Sequence, residues 1–466
     1  MKFKYLNLLI LLLLFVNLGR ASEGAQDKVP SLLNLTLKSV ISYAMNSSFN
    51  RDEIVLQMLS LPHDILEHFL DFNGIELAKD VGENDIITIS EDFSKIVVHK
   101  TDDAFHVNML DITDIFTNKH SQIKLTDSGQ KLPLLSPGPL MSSDGSKEVF
   151  FGFDECSLID LNNGIIKKIP TGSARFGLKV SGSYYDAMPR RTASKDLSRI
   201  MGFVSDGLDK LIILNTNSGE IINTKISFDR RDYSSISANG ERIILEARVN
   251  DNSGTLILDG KTGQQIKFLR LAHNTMSDDG SRIVGVQDHK LKIFDENGIE
   301  ISSLDIEERT PQLLLIGPDN STVVILYYDR VVYYKLRDNQ LEKINSLVID
   351  QGLLRISDDL KLVMQFIGNY KDSLLKIHEF DGDAIRLQSS FGLNNIAFNG
   401  VGLVSNFIFI NISDGLQFLY PINKTYDNIE LLKISKNGLF MIGRDDHNKV
   451  IKLFPTAVLE KFLSLA

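Results

Sequence analysis

A turn signature recurs along most of the chain, and no other feature constrains the fold as strongly. Ser-x-Asp/Asn-Gly-like turns, each between two β-rich runs, occur at Ser90-Glu91-Asp92, Ser143-Asp144-Gly145, Ser194-Lys195-Asp196, Ser237-Ala238-Asn239-Gly240, Ser277-Asp278-Asp279-Gly280, Gly317-Pro318-Asp319-Asn320, Ser357-Asp358-Asp359, Asn399-Gly400 and Ser435-Lys436-Asn437-Gly438. From Ser194 to Ser357 the intervals are 43, 40, 40 and 40 residues. A period of that length marks a repeat architecture.

Each unit has the same internal order. In one of them Leu271–Met276 reads as a first strand, Ser277–Gly280 as the turn, Arg282–Gln287 and Leu291–Phe294 as the second and third strands, and Glu300–Leu304 as the fourth. Asp and Gly accept the left-handed angles of the turns, while β-branched and aromatic residues favour the pleated surface between them. A lone four-stranded unit leaves both faces bare, so neighbours must stack, and a closed ring hides every face. The expectation is a mainly β chain folded as a single β-propeller over 84–455. Eight blades are favoured within a range of seven to nine, since propellers usually carry roughly four to eight. The last unit, Leu431–Phe454, shows three strands, so its fourth is expected from Gly74–Val81, joining the two ends of the ring. Residues 456–466 read as a short amphipathic helix with Val458, Leu459, Phe462 and Leu463 on one side.

The segments Thr255-Leu-Ile-Leu-Asp-Gly-Lys-Thr-Gly263 and Leu291-Lys-Ile-Phe-Asp-Glu-Asn-Gly298 resemble the third strands of WD-repeat propellers, in which an aspartate precedes a glycine turn. The chain has no tryptophan, so that family's buried Trp-Ser-His-Asp network is not carried over. The resemblance implies a rigid interaction platform and says almost nothing about which partner it holds.

The first residues differ from everything after them. Lys2 and Lys4 precede an apolar core from Leu8 to Val16, and Gly19 and Ala21 stand before Ser22-Glu23-Gly24. That is the layout of a signal peptide over 1–21, and it predicts export to a periplasm or to the outside of the cell. Neither this core nor any later segment reaches the roughly 20 apolar residues of a membrane-spanning helix.

Residues 28–72 read as a helical leader. Pro30 and Ser31 stand where a helix start expects them, Leu33, Leu37, Val40 and Ile41 form a stripe, a second helix is expected over Arg51–Leu59, and a third follows Leu61-Pro62 with Ile65, Leu66, Phe69 and Leu70 on its apolar face. Leu32, Leu35, Thr36 and Val40, followed by Leu61 and Pro62, resemble a SOCS-box or F-box-like adaptor module, with Thr36 where that family usually has cysteine. The resemblance implies ubiquitin-ligase subunits as partners, with Leu32, Thr36, Val40, Leu61 and Pro62 as contacts. The plainer reading is a helical cap on the main domain.

Composition removes several kinds of chemistry. Lys+Arg 50 against Asp+Glu 60 gives a formal charge of -10, so the basic footprint of a nucleic-acid binder is missing. The single Cys156 excludes an internal disulfide framework, and the acidic neighbours Asp154 and Glu155 are expected to raise its pKa. His63 and Glu67, like Asp64 and His68, share helix faces, yet the order His-Glu-x-x-His of a zinc protease is absent, and a solvated face is the expectation. His273, His289, His378 and His447 are assigned to different units as isolated hydrogen-bonding residues. Paired acids such as Asp278-Asp279 and Asp358-Asp359 are read as turn-shaping carboxylates in preference to calcium ligands.

No catalytic residue, metal site or cofactor site is therefore assigned. Arg175, Arg190 and Arg191, in the long segment between the second and third turns, form the one modest basic spot and the first place expected to meet a partner. The overall expectation is an exported, non-enzymatic protein-interaction scaffold. Two alternatives stand beside it: a ubiquitin-ligase substrate adaptor directed at a host, and a propeller hydrolase or lyase with its site in the central channel.

Overall fold

The computed structural model describes residues 75–455 apart from short segments, the longest of which is 177–191. The signal peptide, the leader with Leu32, Thr36, Val40, Leu61 and Pro62, the basic pair Arg190 and Arg191, and the expected helix 456–466 lie outside the described residues.

Nine antiparallel sheets follow one another along the described chain, each with a path of four strands. Eight blades were favoured, and the count lies at the upper end of the expected range. The fifth sheet shows how closely the repeat maps onto structure: its strands are Ala272–Met276, Arg282–Gln287, Lys290–Asp295 and Glu300–Asp305, hydrogen-bonded in chain order.

The sheets form a β-propeller, and from the first to the seventh each packs face to face on the next. Val97, Leu110 and Ile112 of the first sheet share a core with Phe150 and Ile159 of the second. Val149 and Ile169 of the second meet Ile200 and Ile212 of the third. Ile293 of the fifth meets Val323 and Tyr334 of the sixth, and Tyr333 of the sixth meets Val363 and Phe380 of the seventh. The middle strands are thus covered on both faces, which is why Thr322–Leu326 is buried at every residue and reads as an unbroken apolar run. Fourth strands such as Lys119–Lys124 carry mostly exposed residues and form the outer rim.

Two contacts close the ring. Ile75–Ala78 pairs antiparallel with Val450–Pro455 as the outermost strand of the ninth sheet, so the two ends of the propeller share one sheet. Leu77 is 1% exposed, and its carbonyl accepts the Thr113 hydroxyl of the first sheet at 2.9 Å. On the inner side, Lys433 of the ninth sheet donates to the Ile89 and Ser90 carbonyls and stands 5.5 Å above the Phe93 ring.

The recurring turn has one geometry. Its serine hydroxyl accepts the backbone N–H five residues on, from Lys95 to Ser90, Lys147 to Ser142, Arg199 to Ser194, Arg242 to Ser237 and Arg282 to Ser277, all at 2.9–3.0 Å. The aspartate two residues after the serine accepts the N–H two residues further, as in Ser146 to Asp144 and Ser281 to Asp279 at 2.9 Å. The carboxylates of Asp92, Asp144, Asp196, Asp279 and Asp319 all shape turns in this way, as expected; Asp358 and Asp359 lie outside the described residues. One correction concerns the second turn, whose marker is Ser142 and not Ser143, so that Ser90, Ser142 and Ser194 are evenly spaced. In the first seven turns the residue after the aspartate or asparagine has a positive φ, whether it is Gly145, Gly240, Gly280 or Asn320, or the buried Phe93, Leu197 and Leu360. Such an angle costs a bulky residue about 1 kcal/mol or more. At those three positions the buried side chain offsets the cost.

Candidate partner-binding face

The two ends of the sheets offer different chemistry. At the end bearing the Ser-x-Asp turns, adjacent turns are chained through their backbones: Asp92 N–H donates to Ser143, Ser143 to Lys195, Lys195 to Ala238, and Ala238 to Asp278. The Lys195 ammonium reaches further, to Glu91 of the first turn at 3.4 Å and to Asp278 of the fifth at 3.1 Å. This end is held together by contacts among its own groups.

The aspartate pKa values describe the same condition. Burial pushes the Asp144 carboxyl up, but the Ser146 N–H and the Ser142 and Ser146 hydroxyls together bring it below the usual range. Asp279 behaves alike, with burial opposed by the Ser281 N–H and the hydroxyls of Ser277 and Ser281.

The opposite end carries the hairpins between second and third strands and the links between sheets. Here a cavity of about 820 Å³ opens between the fourth and fifth sheets and the link that leads into the sixth. Glu246 and Gly254 of the fourth-sheet hairpin, Arg270 and His273 of the next link, Asp288 and His289 of the fifth-sheet hairpin, and Arg309 of the following link all line it. Asp288 and His289 form a two-residue hairpin with positive φ at both positions, the turn whose twist suits antiparallel strands. His273 also has a positive φ, at a bulge where the pairing of Ala272 and Asn274 shifts register.

The cavity has a fixed wall. Arg309 meets Asp329 at 2.7 Å and Glu307 at 3.7 Å, and Arg330 meets Glu307 at 2.9 Å and Asp329 at 3.2 Å. Hydrogen bonds from Arg330 first and Arg309 next hold Asp329 down to about 2. Beside this network, Tyr328 stands 79% exposed at the tip of the sixth-sheet hairpin. Arg270 makes no ion pair among the described residues.

Glu246 also belongs to a polar cluster whose other members do not line the cavity. Asn274, 2% exposed, donates from Nδ2 to Glu246 Oε1 at 3.2 Å, and Thr255, fully buried, stands opposite Glu246 in the strand pairing. Asn274 Oδ1 and Thr255 Oγ1 are buried without a hydrogen-bond partner.

Several expectations change here. His273 and His289 are not in different units: both belong to the fifth sheet, whose expected strands from Leu271 to Leu304 enclose them, and both line one cavity. His99, not singled out from sequence, is fully buried with Nε2 at 3.0 Å from both carboxylate oxygens of Glu148. Cys156 lies in Glu155–Asp160 at 1% exposure, and burial first, with Glu155 second among the raising causes, pushes its thiol up to about 12. Arg175 begins Arg175–Phe176, which pairs with Arg199–Ser205, and Ala193 bridges to Ile200 in that same strand. Arg175–Phe176 and Ala193 thus meet the same strand of the third sheet.

No family model matches this chain, and no curated protein matches it. Solved structures resemble it. The C-terminal WD40 domain of Sif2 is 13% identical with a TM-score of 0.41, covering 73% of this chain and 95% of that one. The Dos1 propeller is 11% identical with a TM-score of 0.39, over 72% and 91%. Dipeptidyl peptidase 4 of Porphyromonas gingivalis is 10% identical with a TM-score of 0.44, over 75% of this chain and 57% of that one. Likeness at this level says nothing of activity, and the propeller assignment stands on the strand order and ring closure themselves. Among the described residues no helix is long and apolar enough to cross a membrane.

Proposed function

We propose that this chain is a non-enzymatic protein-interaction scaffold, exported through its signal peptide, which binds a protein partner on the hairpin end of the propeller. The observation that carries the reading is the cavity lined by Arg270 and Arg309, with the exposed Tyr328 next in sequence to Asp329, the carboxylate that Arg309 meets at 2.7 Å. Arginine and tyrosine supply a large share of binding energy at protein interfaces, because each offers broad contact area with polar anchoring. The fixed ring of turns at the other end keeps the hairpins in place, so little ordering entropy is spent on binding.

The test uses the full chain with a photo-crosslinking residue at Tyr328 or His289, and at Ile165 as a control. Ile165 is 63% exposed in the turn between third and fourth strands of the second sheet, at the opposite end. Illumination in the native compartment should give a discrete protein adduct from Tyr328 and His289 and none from Ile165. Equal adducts at all three positions, or none at any, would remove the reading.

A further inference from the structure

We infer that the cavity between the fourth and fifth sheets and the link into the sixth takes a carboxylate, the side chain of an aspartate or glutamate presented by the partner protein, and that Arg270 receives it. This rests on the scaffold reading and names what that face recognises.

Arg270 stands out by what it lacks. It lines the cavity, is exposed, and makes no hydrogen bond or ion pair among the described residues. Most acids of the cavity and its wall are committed elsewhere: Glu246 accepts Asn274 Nδ2 at 3.2 Å, while Asp329 and Glu307 are held by Arg309 and Arg330. A guanidinium left free in this way keeps both arms of its fork for a carboxylate, the group whose geometry it matches.

The backbone holds this arginine in place. Arg270 is the middle residue of a three-residue turn, closed by the Leu271 N–H donating to the Leu269 carbonyl at 2.9 Å, and both leucines are buried. Gly254 of the fourth-sheet hairpin lies against that turn, since a Cβ there would stand 2.3 Å from the Leu269 carbonyl. The guanidinium is thus presented from a fixed base, and little beyond its own side chain has to be ordered on binding.

Two further donors line the same space. The side chains of His273 and His289 have no hydrogen-bond partner among the described residues, and even a neutral imidazole carries one N–H. Asp288, exposed at the hairpin tip, is the lining acid that opposes an anion. The chain's formal charge of -10 exerts no long-range pull on an acidic partner, so selection rests on contacts inside the cavity.

Ligand-observed saturation-transfer NMR on the full chain provides the test, with Nα-acetyl-glutamate methylamide as the probe and its glutamine counterpart, of the same shape without the charge, as the control. The acid should show transfer and the amide should not. Arg270→Gln should weaken the acid about tenfold or more, the loss expected for a charge-assisted hydrogen bond. Arg270→Lys, which keeps the charge and loses the fork, should retain part of the binding, and Asp288→Asn should strengthen it. Because Arg270 is exposed and unpaired, the melting temperature of Arg270→Gln should match that of the parent, which separates lost binding from lost folding. Equal transfer from both probes, undiminished binding in Arg270→Gln, weaker binding in Asp288→Asn, or no transfer at all would overturn the inference. Crosslinks from Tyr328 with no carboxylate binding would leave the scaffold and remove the acid pocket. Carboxylate binding with no crosslinks would point to a free small acid, removing both the partner side chain and the scaffold reading.

Discussion

His99 Nε2 stands 3.0 Å from each carboxylate oxygen of Glu148, across the boundary between the first and second sheets, and neither side chain is exposed to solvent. The far nitrogen, Nδ1, faces the Ile86 carbonyl at 3.0 Å, an oxygen that can only accept, so Nδ1 must carry a proton. One further proton is then shared between Nε2 and the carboxylate, and the pair is neutral overall. The Thr88 hydroxyl donates to Glu148 Oε1 at 2.8 Å, and the Phe150 ring meets the imidazole edge-on at 5.4 Å.

Removing one member strands the other. Glu148→Ala is expected to cost about 1–3 kcal/mol, the usual penalty for a buried polar group left without its partner, here His99 Nε2. Replacing both residues with apolar side chains of similar volume, as in His99→Phe with Glu148→Met, should cost far less than the single change. Denaturant midpoints for the two singles and the double give the coupling. A near-additive cycle would show that the pair does not act as a unit.

The turn aspartates predict the acid limit of the fold. Asp144, Asp196 and Asp279 all have carboxyls held below the ordinary value, with burial opposed and outweighed by N–H and hydroxyl donors. A group whose folded pKa is depressed stabilises the protein fully above its unfolded pKa, about 3.9, and the contribution is lost as pH falls through the folded value. Stability should therefore be flat in this respect near neutrality and fall below about pH 4. Asn239 already serves the fourth turn, accepting the Glu241 N–H at 3.0 Å, so Asp279→Asn should fold and show a shallower acid slope. Thermal midpoints between pH 6 and 2 for both proteins check this.

The repeat made most of the ring legible before any coordinate, and the reason is local: each turn is built from residues that choose its backbone angles and its donors. The fifth sheet could be placed nearly strand for strand from Ser277, Gly280 and the β-branched runs around them. The cavity was not legible, because its residues come from three units and converge only when the ring closes. His273 and His289, by contrast, fall within the single unit from Leu271 to Leu304, and its expected strands already enclosed both. Where the turn departs from glycine, at Phe93, Leu197 and Leu360, the pattern faded because a buried side chain had replaced conformational freedom as the reason for the residue. Even spacing of Ser90, Ser142 and Ser194 was the signal that could have aligned the second turn correctly.

Cys156 offers a direct probe of opening. With the thiol buried and its pKa pushed up to about 12, almost no thiolate is present at pH 8, and the thiolate is the reactive form. An aromatic disulfide reagent should leave the folded protein unmodified over minutes and label one thiol promptly in denaturant. Fast labelling of the native chain would mean that the second sheet separates from the third, since Cys156 sits in the core between them.

Ring closure by the N-terminal strand can be tested by truncation. A chain beginning at residue 75 retains Ile75–Ala78 and should give a single cooperative unfolding transition. A chain beginning at residue 84 loses that strand, exposes the edge of Val450–Pro455, and forfeits the burial of Leu77 together with the Thr113 hydroxyl's acceptor. An unpaired edge of that kind recruits other chains, so the shorter protein should self-associate as well as melt earlier. Leu77→Asp in the longer chain separates the two effects: it keeps the backbone and removes only the apolar anchor. Its melting temperature should fall by several degrees, with less association than the truncation shows. Equal melting temperatures and monomeric behaviour for all three proteins would mean that Lys433, through its contacts with Ile89, Ser90 and Phe93, closes the ring without help from the outer strand.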